Sequence, residues 1–306
     1  DTISEADFKD TVQIIGWMYQ YYTTENNQLV YDGTLSKSKI PKELIPAATQ
    51  LFTPDWPIRY MVDNTLGRLW IEAHPNSQIK SKLKYYVDLP DDEKSFSEFD
   101  FIEPSEIRLI DPCMGSGHIL SYMFDVLIEI YSEYGYSKKD AAKSILSNNL
   151  YGVDVDDRAC QLAYFQLMMR ARSFNDDIFN EVKNLNLYSV QDSNDVNIDC
   201  LSTCGSRLDE SVRSRSKDQC VRLLSLFIDA KDIGSLIVRN KNLDVEFMGK
   251  YLNDNAGTLF VDDLEKIKRI LKIYATLISQ YHVIVTNPPY LGRNRFNAHL
   301  LQYVSD

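Results

Sequence analysis

The 306-residue sequence contains no run of eighteen uncharged apolar residues, which excludes a helix able to cross a bilayer. Its first ten residues, DTISEADFKD, are acidic where a secretory leader is basic and then apolar, so a soluble intracellular protein is expected. Positive charge is scarce. The 33 Lys+Arg stand against 44 Asp+Glu, and a net charge of −11 opposes the phosphates of nucleic acid. Any attraction for DNA must then come from a local patch or from a missing segment. Cysteine is scarce as well: five thiols, an odd number, do not make a disulfide framework and are expected to be reduced. Cys200 and Cys204 lie four apart with Cys220 further on, but no second pair and no nearby His completes a tetrahedral zinc set, so no metal is expected. Internal repeats are absent, which excludes a solenoid. The composition is otherwise 44% apolar and 11% aromatic, enough to bury the core of one large domain or two modest ones.

Residues 1–87 read as mainly helical, with apolar spacing at Phe8, Val12, Ile15, Met18 and Tyr22, broken by turn chemistry at Asn26, Asn27, Asp32 and Gly33. Between Asp88 and Glu106 eight acids, one Lys and two prolines describe a solvated connector, and a unit boundary is placed there. The pattern then alternates. Strands are expected at 107–110, 150–155, 185–190 and 282–286, and helices at 119–134, 138–147, 158–172, around 208–229 and at 263–278. Alternation of this kind implies a mostly parallel sheet covered by helices.

Three strand ends carry chemistry. Asp111-Pro112-Cys113-Met114-Gly115-Ser116-Gly117-His118 sits where a strand hands over to a helix, the position where open α/β sheets bind ligands. Its glycines permit a tight turn and close approach, and the helix N-terminus offers free N–H groups. Leu120 stands where a dinucleotide fingerprint has its third glycine, and no Gly-Lys-Ser/Thr follows, so NAD and ATP both fit poorly. An ordinary glycine turn is the competing reading. Gly152-Val153-Asp154-Val155-Asp156 ends the next strand, where an acid accepts from ribose hydroxyls; Asp154 is the first candidate and Asp156, which also suits a helix N-cap, the reserve. Asn287-Pro288-Pro289-Tyr290 ends the last, an acceptor loop with an aromatic lid: the Asn oxygen and the Pro288 carbonyl can each take a hydrogen from one NH2 group while Tyr290 stacks on its ring.

In this order, the three resemble the γ-class amino-methyltransferases that methylate N6 of adenine in DNA. The resemblance implies that Asp111, Pro112, Gly115, Ser116 and Gly117 form the S-adenosylmethionine loop, that Asp154 binds its ribose, and that Asn287, Pro288, Pro289 and Tyr290 are catalytic. Upstream, Leu51-Phe52-Thr53-Pro54-Asp55-Trp56 followed by Arg59-Tyr60-Met61-Val62 resembles the motif at the cofactor's methionine end, which implicates Thr53 and Pro54. Asp192, with Gln191 as competitor, matches the acid that meets adenine at the third strand's end. The stretches LFTPDWPIRYMVDNTLGRLW, NNLYGVDVDDRACQLAYFQLMMRAR and VIVTNPPYLG are similar to the PglX methyltransferases of BREX phage-defence systems.

The fold implied by this resemblance is an α/β, Rossmann-like S-adenosylmethionine-dependent methyltransferase sheet, truncated after its fourth strand. A mainly helical region at 1–105 precedes a partial catalytic domain at 106–306, with a helical insertion at about 193–260. The implied protein is a bacterial, cytoplasmic, site-specific DNA adenine methyltransferase, present as an N-terminal fragment, acting on flipped adenine in double-stranded DNA. Its implied partners are that DNA, bound mainly through absent regions, and other phage-defence proteins; no membrane is involved. Arg293 and Arg295 either hold a phosphate or form a solvated turn. Competing functions are a cofactor-binding, DNA-sensing scaffold without turnover and a protein-glutamine N5-methyltransferase. A combined restriction enzyme would need nuclease carboxylates, for which only Glu25 and Asp32 offer themselves.

Overall fold

The computed structural model describes residue 28 and residues 53–88, 102–254, 260–289 and 298–305. The helix expected around residues 8–22, the turn at 26–33, most of the acidic connector, Tyr290, Arg293 and Arg295 lie outside the described residues. The described chain falls into two compact units, one of residues 53–88, 102–188 and 280–289, the other of 189–254, 260–279 and 298–305.

The first unit is built on a four-stranded sheet ordered β3-β2-β1-β4, with β1 parallel to both of its neighbours. Strand β1 is Leu109–Asp111, β2 Leu150–Asp154, β3 Asn186–Ser189 and β4 Val283–Ile284. All three residues of β1 are buried, as a central parallel strand covered on both faces requires. Leu109 is opposite Leu150 on one side and Val283 on the other. The fourth strand is shorter than the apolar run around it. His282 meets the sheet by other bonds, its backbone N–H donating to the Arg108 carbonyl and its ring Nδ1 accepting the Arg108 N–H, while Pro288 and Pro289 bring no N–H to extend the ladder. At this end of the sheet the Arg108 guanidinium lies over both Tyr151 and Tyr281, 4.6 and 5.0 Å from the ring centres, which ties the starts of three strands together.

Helices α1 (Asp55–Val62) and α2 (Arg68–Ala73) run almost continuously through a π-turn at Asp63–Gly67. The turn carries Asp63, wholly buried, whose carboxylate accepts from the Tyr122 hydroxyl at 2.8 Å and the Tyr85 N–H at 2.9 Å. Tyr122 belongs to α3 (His118–Tyr134), and Arg59, paired with Asp55, covers its ring at 4.7 Å. An apolar stripe of Ile58, Val62, Leu66 and Trp70, buried at helical spacing, completes this part of the core. Gly135, at φ 106°, ends α3 by turning left-handed, and Ser137 caps α4 (Lys138–Ser144) by accepting the Asp140 N–H. Helices α5 (Asp157–Arg172) and α6 (Ile178–Glu181) then lead to β3.

A π-turn at Ile145–Asn149 joins α4 to β2 and ends on a fully buried amide. Asn149 Nδ2 donates to the carbonyls of Pro104 and Ile107, and its Oδ1 accepts from the Tyr131 hydroxyl, so one side chain joins the approach to β1, the approach to β2 and α3. The second unit is helical, built from α7 (Glu210–Leu226), α8 (Ala230–Ile233), α9 (Val245–Asn253), α10 (Val261–Ile278) and α11 (Ala298–Ser305). Cys200, Cys204 and Cys220 are buried in it as free thiols, and burial pushes the first to about 11 and the last to about 12, so they pack as small apolar groups. No helix among the described residues is long and apolar enough to cross a membrane.

Replacing Asn149 by Leu removes three buried hydrogen bonds and leaves the Ile107 carbonyl without this donor, while the Tyr131 hydroxyl keeps Ser144. Urea unfolding of Asn149→Leu is expected to show a loss of about 2–4 kcal/mol; a loss below about 0.5 kcal/mol would remove the linking role.

Candidate active site

Because β1 is parallel to β2 and β4, the carboxyl ends of these three strands share one rim of the sheet, and the segments 112–117, 155–156 and 285–289 leave from it. The glycine turn is held by its neighbour strand. Met114 N–H donates to the Val153 carbonyl at 3.0 Å, and Gly115 N–H donates to Asp154 Oδ2 at 2.8 Å. The second oxygen of Asp154 accepts the Asp156 N–H at 2.9 Å. Asp154 therefore clamps the turn to the end of β2. Asp156 accepts the Arg158 N–H and caps α5, the role its sequence context suited. Gly115 and Gly117 both have positive φ, 53° and 85°. They differ in surroundings: a Cβ at Gly117 would stand 2.8 Å from the Ala163 Cβ, whereas a Cβ at Gly115 would meet nothing within 4 Å. Gly117 is where α3 approaches α5, and Gly115 faces open space. Ser116 lies between them and Pro112 before them, both half-buried.

Asp111, at the end of β1, is fully buried, and one of its oxygens accepts the Cys113 N–H at 3.1 Å. Its other oxygen, Oδ2, and the Thr286 hydroxyl are buried with no partner in good hydrogen-bond geometry. Burial pushes the Asp111 carboxyl up to about 7, against the lowering effect of the nearby Thr286 hydroxyl and the Cys113 amide. Burial likewise raises Asp154 and lowers His118 at the start of α3.

On the other side of β1, Val285 N–H donates to the Ile110 carbonyl, which brings Asn287 to the same rim. Asn287 Nδ2 donates to Thr53 Oγ1 at 2.9 Å, joining residues 234 apart in sequence. Pro54, exposed, is the N-cap of α1, and Pro288 and Pro289 are exposed beyond Asn287. Asp192 and Gln191 belong to the second unit, where Asp192 Oδ1 accepts the Lys231 N–H at 2.9 Å and Gln191 Nε2 donates to the Ser189 carbonyl and hydroxyl. The structure thus brings Asp111, Gly115, Gly117 and Asp154 together and joins Thr53 to Asn287. Thr286 and Asp63 carry no signal of their own in the sequence. Thr286 directly precedes the Asn-Pro-Pro segment, but its place opposite Asp111 follows only from β4 lying beside β1.

Residues 148–306 match the Eco57I restriction-modification methylase family. The chain belongs to that family. The matched part of this Eco57I-family chain begins just before β2 and takes in Asp154 and Asn287. The chain is also 34% identical over 327 aligned residues to the adenine-specific methyltransferase PglX of Lacticaseibacillus casei, and 33% identical over 332 to the adenine-specific methyltransferase BrxX of Escherichia coli. Each alignment covers 99% of this chain and 26% or 27% of the relative. The chain spans about a quarter of the length of these curated relatives.

Folding raises the Asp111 carboxyl from 3.8 to about 7, so between those values the folded chain keeps a proton the unfolded chain has lost. Its contribution is undiminished below about pH 4 and becomes progressively unfavourable as pH rises towards 7. Asp111→Asn, without ligand, is expected to match the parent near pH 4 and to exceed it by about 2–4 kcal/mol at pH 8 in urea unfolding. An equal difference at both pH values would contradict this.

Proposed function

We propose that this chain carries the catalytic centre of a site-specific DNA adenine N6-methyltransferase that uses S-adenosylmethionine, in a BREX-type phage-defence system with double-stranded DNA and other defence proteins as partners. The observation that supports it most is the Asn287–Thr53 hydrogen bond on the rim that also holds the glycine turn. In this reading the sheet is a Rossmann-like methyltransferase sheet within residues 106–306, residues about 193–260 are a helical insertion, and the region 1–105 contributes Thr53.

The residues at the glycine turn fit the cofactor. The second oxygen of Asp111 is buried with only the Thr286 hydroxyl near it, which leaves it able to accept from a ligand that brings a donor or a positive charge, and Gly115 leaves room for close approach. Thr53, Pro54, Asp111, Pro112, Gly115, Ser116 and Gly117 would hold it together with Asp154. A carboxylate has about four acceptor sites, so Asp154 can serve ribose hydroxyls while it accepts from Gly115 and Asp156. Asp192, with Gln191 as its competitor, is assigned to the cofactor as well. When bound, S-adenosylmethionine supplies a sulfonium-activated methyl group, so no protein nucleophile is called for.

The chain's own task is to orient the attacking nitrogen. The adenine N6 lone pair is delocalised into the ring. Because Asn287 Nδ2 is committed to Thr53, its Oδ1 is left to accept one N6 hydrogen, and the Pro288 carbonyl accepts the other. Together they hold the amine for in-line attack and stabilise the positive charge that develops on it. Tyr290 stacks on the base, which offsets part of the few kcal/mol spent in flipping it from the duplex.

Asn287→Ala is expected to lower transfer of labelled methyl groups to DNA at least about 100-fold, with cofactor affinity by calorimetry within about threefold. Undiminished transfer would end the assignment. Thr53→Val frees the Asn287 amide to rotate and is expected to reduce kcat about tenfold with little change in KM for DNA. A loss confined to KM would mean that Thr53 acts in binding alone.

A further inference from the structure

The second unit contains an open groove of about 800 Å3, remote in sequence from every motif described above. Four cations line it: Arg215 and Arg222 from α7, and Arg239 and Lys241 from the segment before α9. Among the described residues none of the four has an ion pair, and only Arg215 has an aromatic contact, lying over the Phe247 ring at 5.7 Å. The acids nearby leave an excess of positive charge. Asp244 accepts the Phe247 N–H as the cap of α9, Glu246 pairs with Lys250 at 2.7 Å, and Asp218 is the one further carboxylate on the lining. Four cations against three carboxylates leave the lining at a net +1, or +2 with Glu246 paired to Lys250, in a chain whose net charge is −11.

We propose that this groove binds the backbone phosphates of double-stranded DNA. The charge of the groove calls for an anion, and the choice of DNA among anions rests on the methyltransferase reading above. Arg215 and Arg222 are seven residues apart on one helix, about 10 Å at 1.5 Å per residue. Seven residues are close to two turns at about 3.6 residues per turn, so both guanidiniums leave from one face of α7. No aromatic ring among the described residues lines the groove, so it offers nothing for a base to stack on. It therefore takes the sugar–phosphate backbone irrespective of sequence, and its contribution to affinity is electrostatic and dependent on salt.

The test measures fluorescence anisotropy of a labelled random-sequence duplex with the full chain between 50 and 200 mM salt. Arg215→Gln, Arg222→Gln, Arg239→Gln and Lys241→Gln combined are expected to weaken binding at least tenfold at the lowest salt. The slope of log K against log salt should fall by about 2–4, since each lost phosphate contact removes about 0.9. Cofactor affinity, measured by calorimetry, should stay within about twofold and report an intact fold. A charge-matched control at Lys84, Lys138, Lys183 and Lys272 should change the slope by less than about 1. Unchanged affinity and slope in the groove variant, or an equal fall in the control, would overturn the proposal. So would displacement of the duplex by micromolar pyrophosphate or ATP, which would make the groove a small-anion site. Binding is read without turnover, so the groove can fail while methyl transfer survives, and the reverse.

Discussion

The candidate active site depends on β1 being paired in parallel with strands on both of its sides. A parallel pair starts together and finishes together, so the segments that leave β1, β2 and β4 emerge at one rim, although 43 residues separate Asp111 from Asp154 and more than a hundred separate Asp154 from Asn287. Were β4 antiparallel, Asn287 would sit at the far end of the sheet. The half-buried cluster of Arg108, Tyr151 and Tyr281 and the His282 bonds to Arg108 hold the opposite ends in register.

The buried acids of this unit are kept by different means. Asp63 is wholly buried yet receives a hydroxyl and an amide, Asp154 receives two amides, and Asp111 receives one amide and has the Thr286 hydroxyl near its other oxygen. Burial raises all three carboxyls, the last to about 7. The first two are structural ties that hold a helix pair and a turn.

Local signals make much of this fold legible. Apolar runs ending at Asp111-Pro112 and at Asp154 mark β1 and β2, helical spacing places α3 and α4 close to their observed bounds, and the stripe through Leu264, Ile267, Ile270 and Tyr274 marks α10 within two residues of its observed start. The run at 282–286 predicts a longer strand than the structure has, because apolar residues do not reveal that His282 bonds through its ring and that the ladder is only two residues long. The motif residues can be named from sequence, but not their company. Asn149 looks in sequence like part of a polar Ser-Asn-Asn turn, and its three bonds reach residues 18, 42 and 45 positions away. Likewise nothing periodic announces that Thr53 meets Asn287, or that Arg215, Arg222, Arg239 and Lys241 share a groove. Such pairings are made by topology, which patterns of burial along a chain do not encode.

The separation of 174 residues between Arg108 and His282 bears on how the molecule is made. On a ribosome the amino-terminal strands appear long before their last partner, and one side of β1 stays open while the intervening helices are being translated. The site cannot close until residue 287 has left the exit tunnel. A nascent polypeptide stalled or cleaved earlier exposes a bare β-edge, the kind of surface on which chains pair with one another.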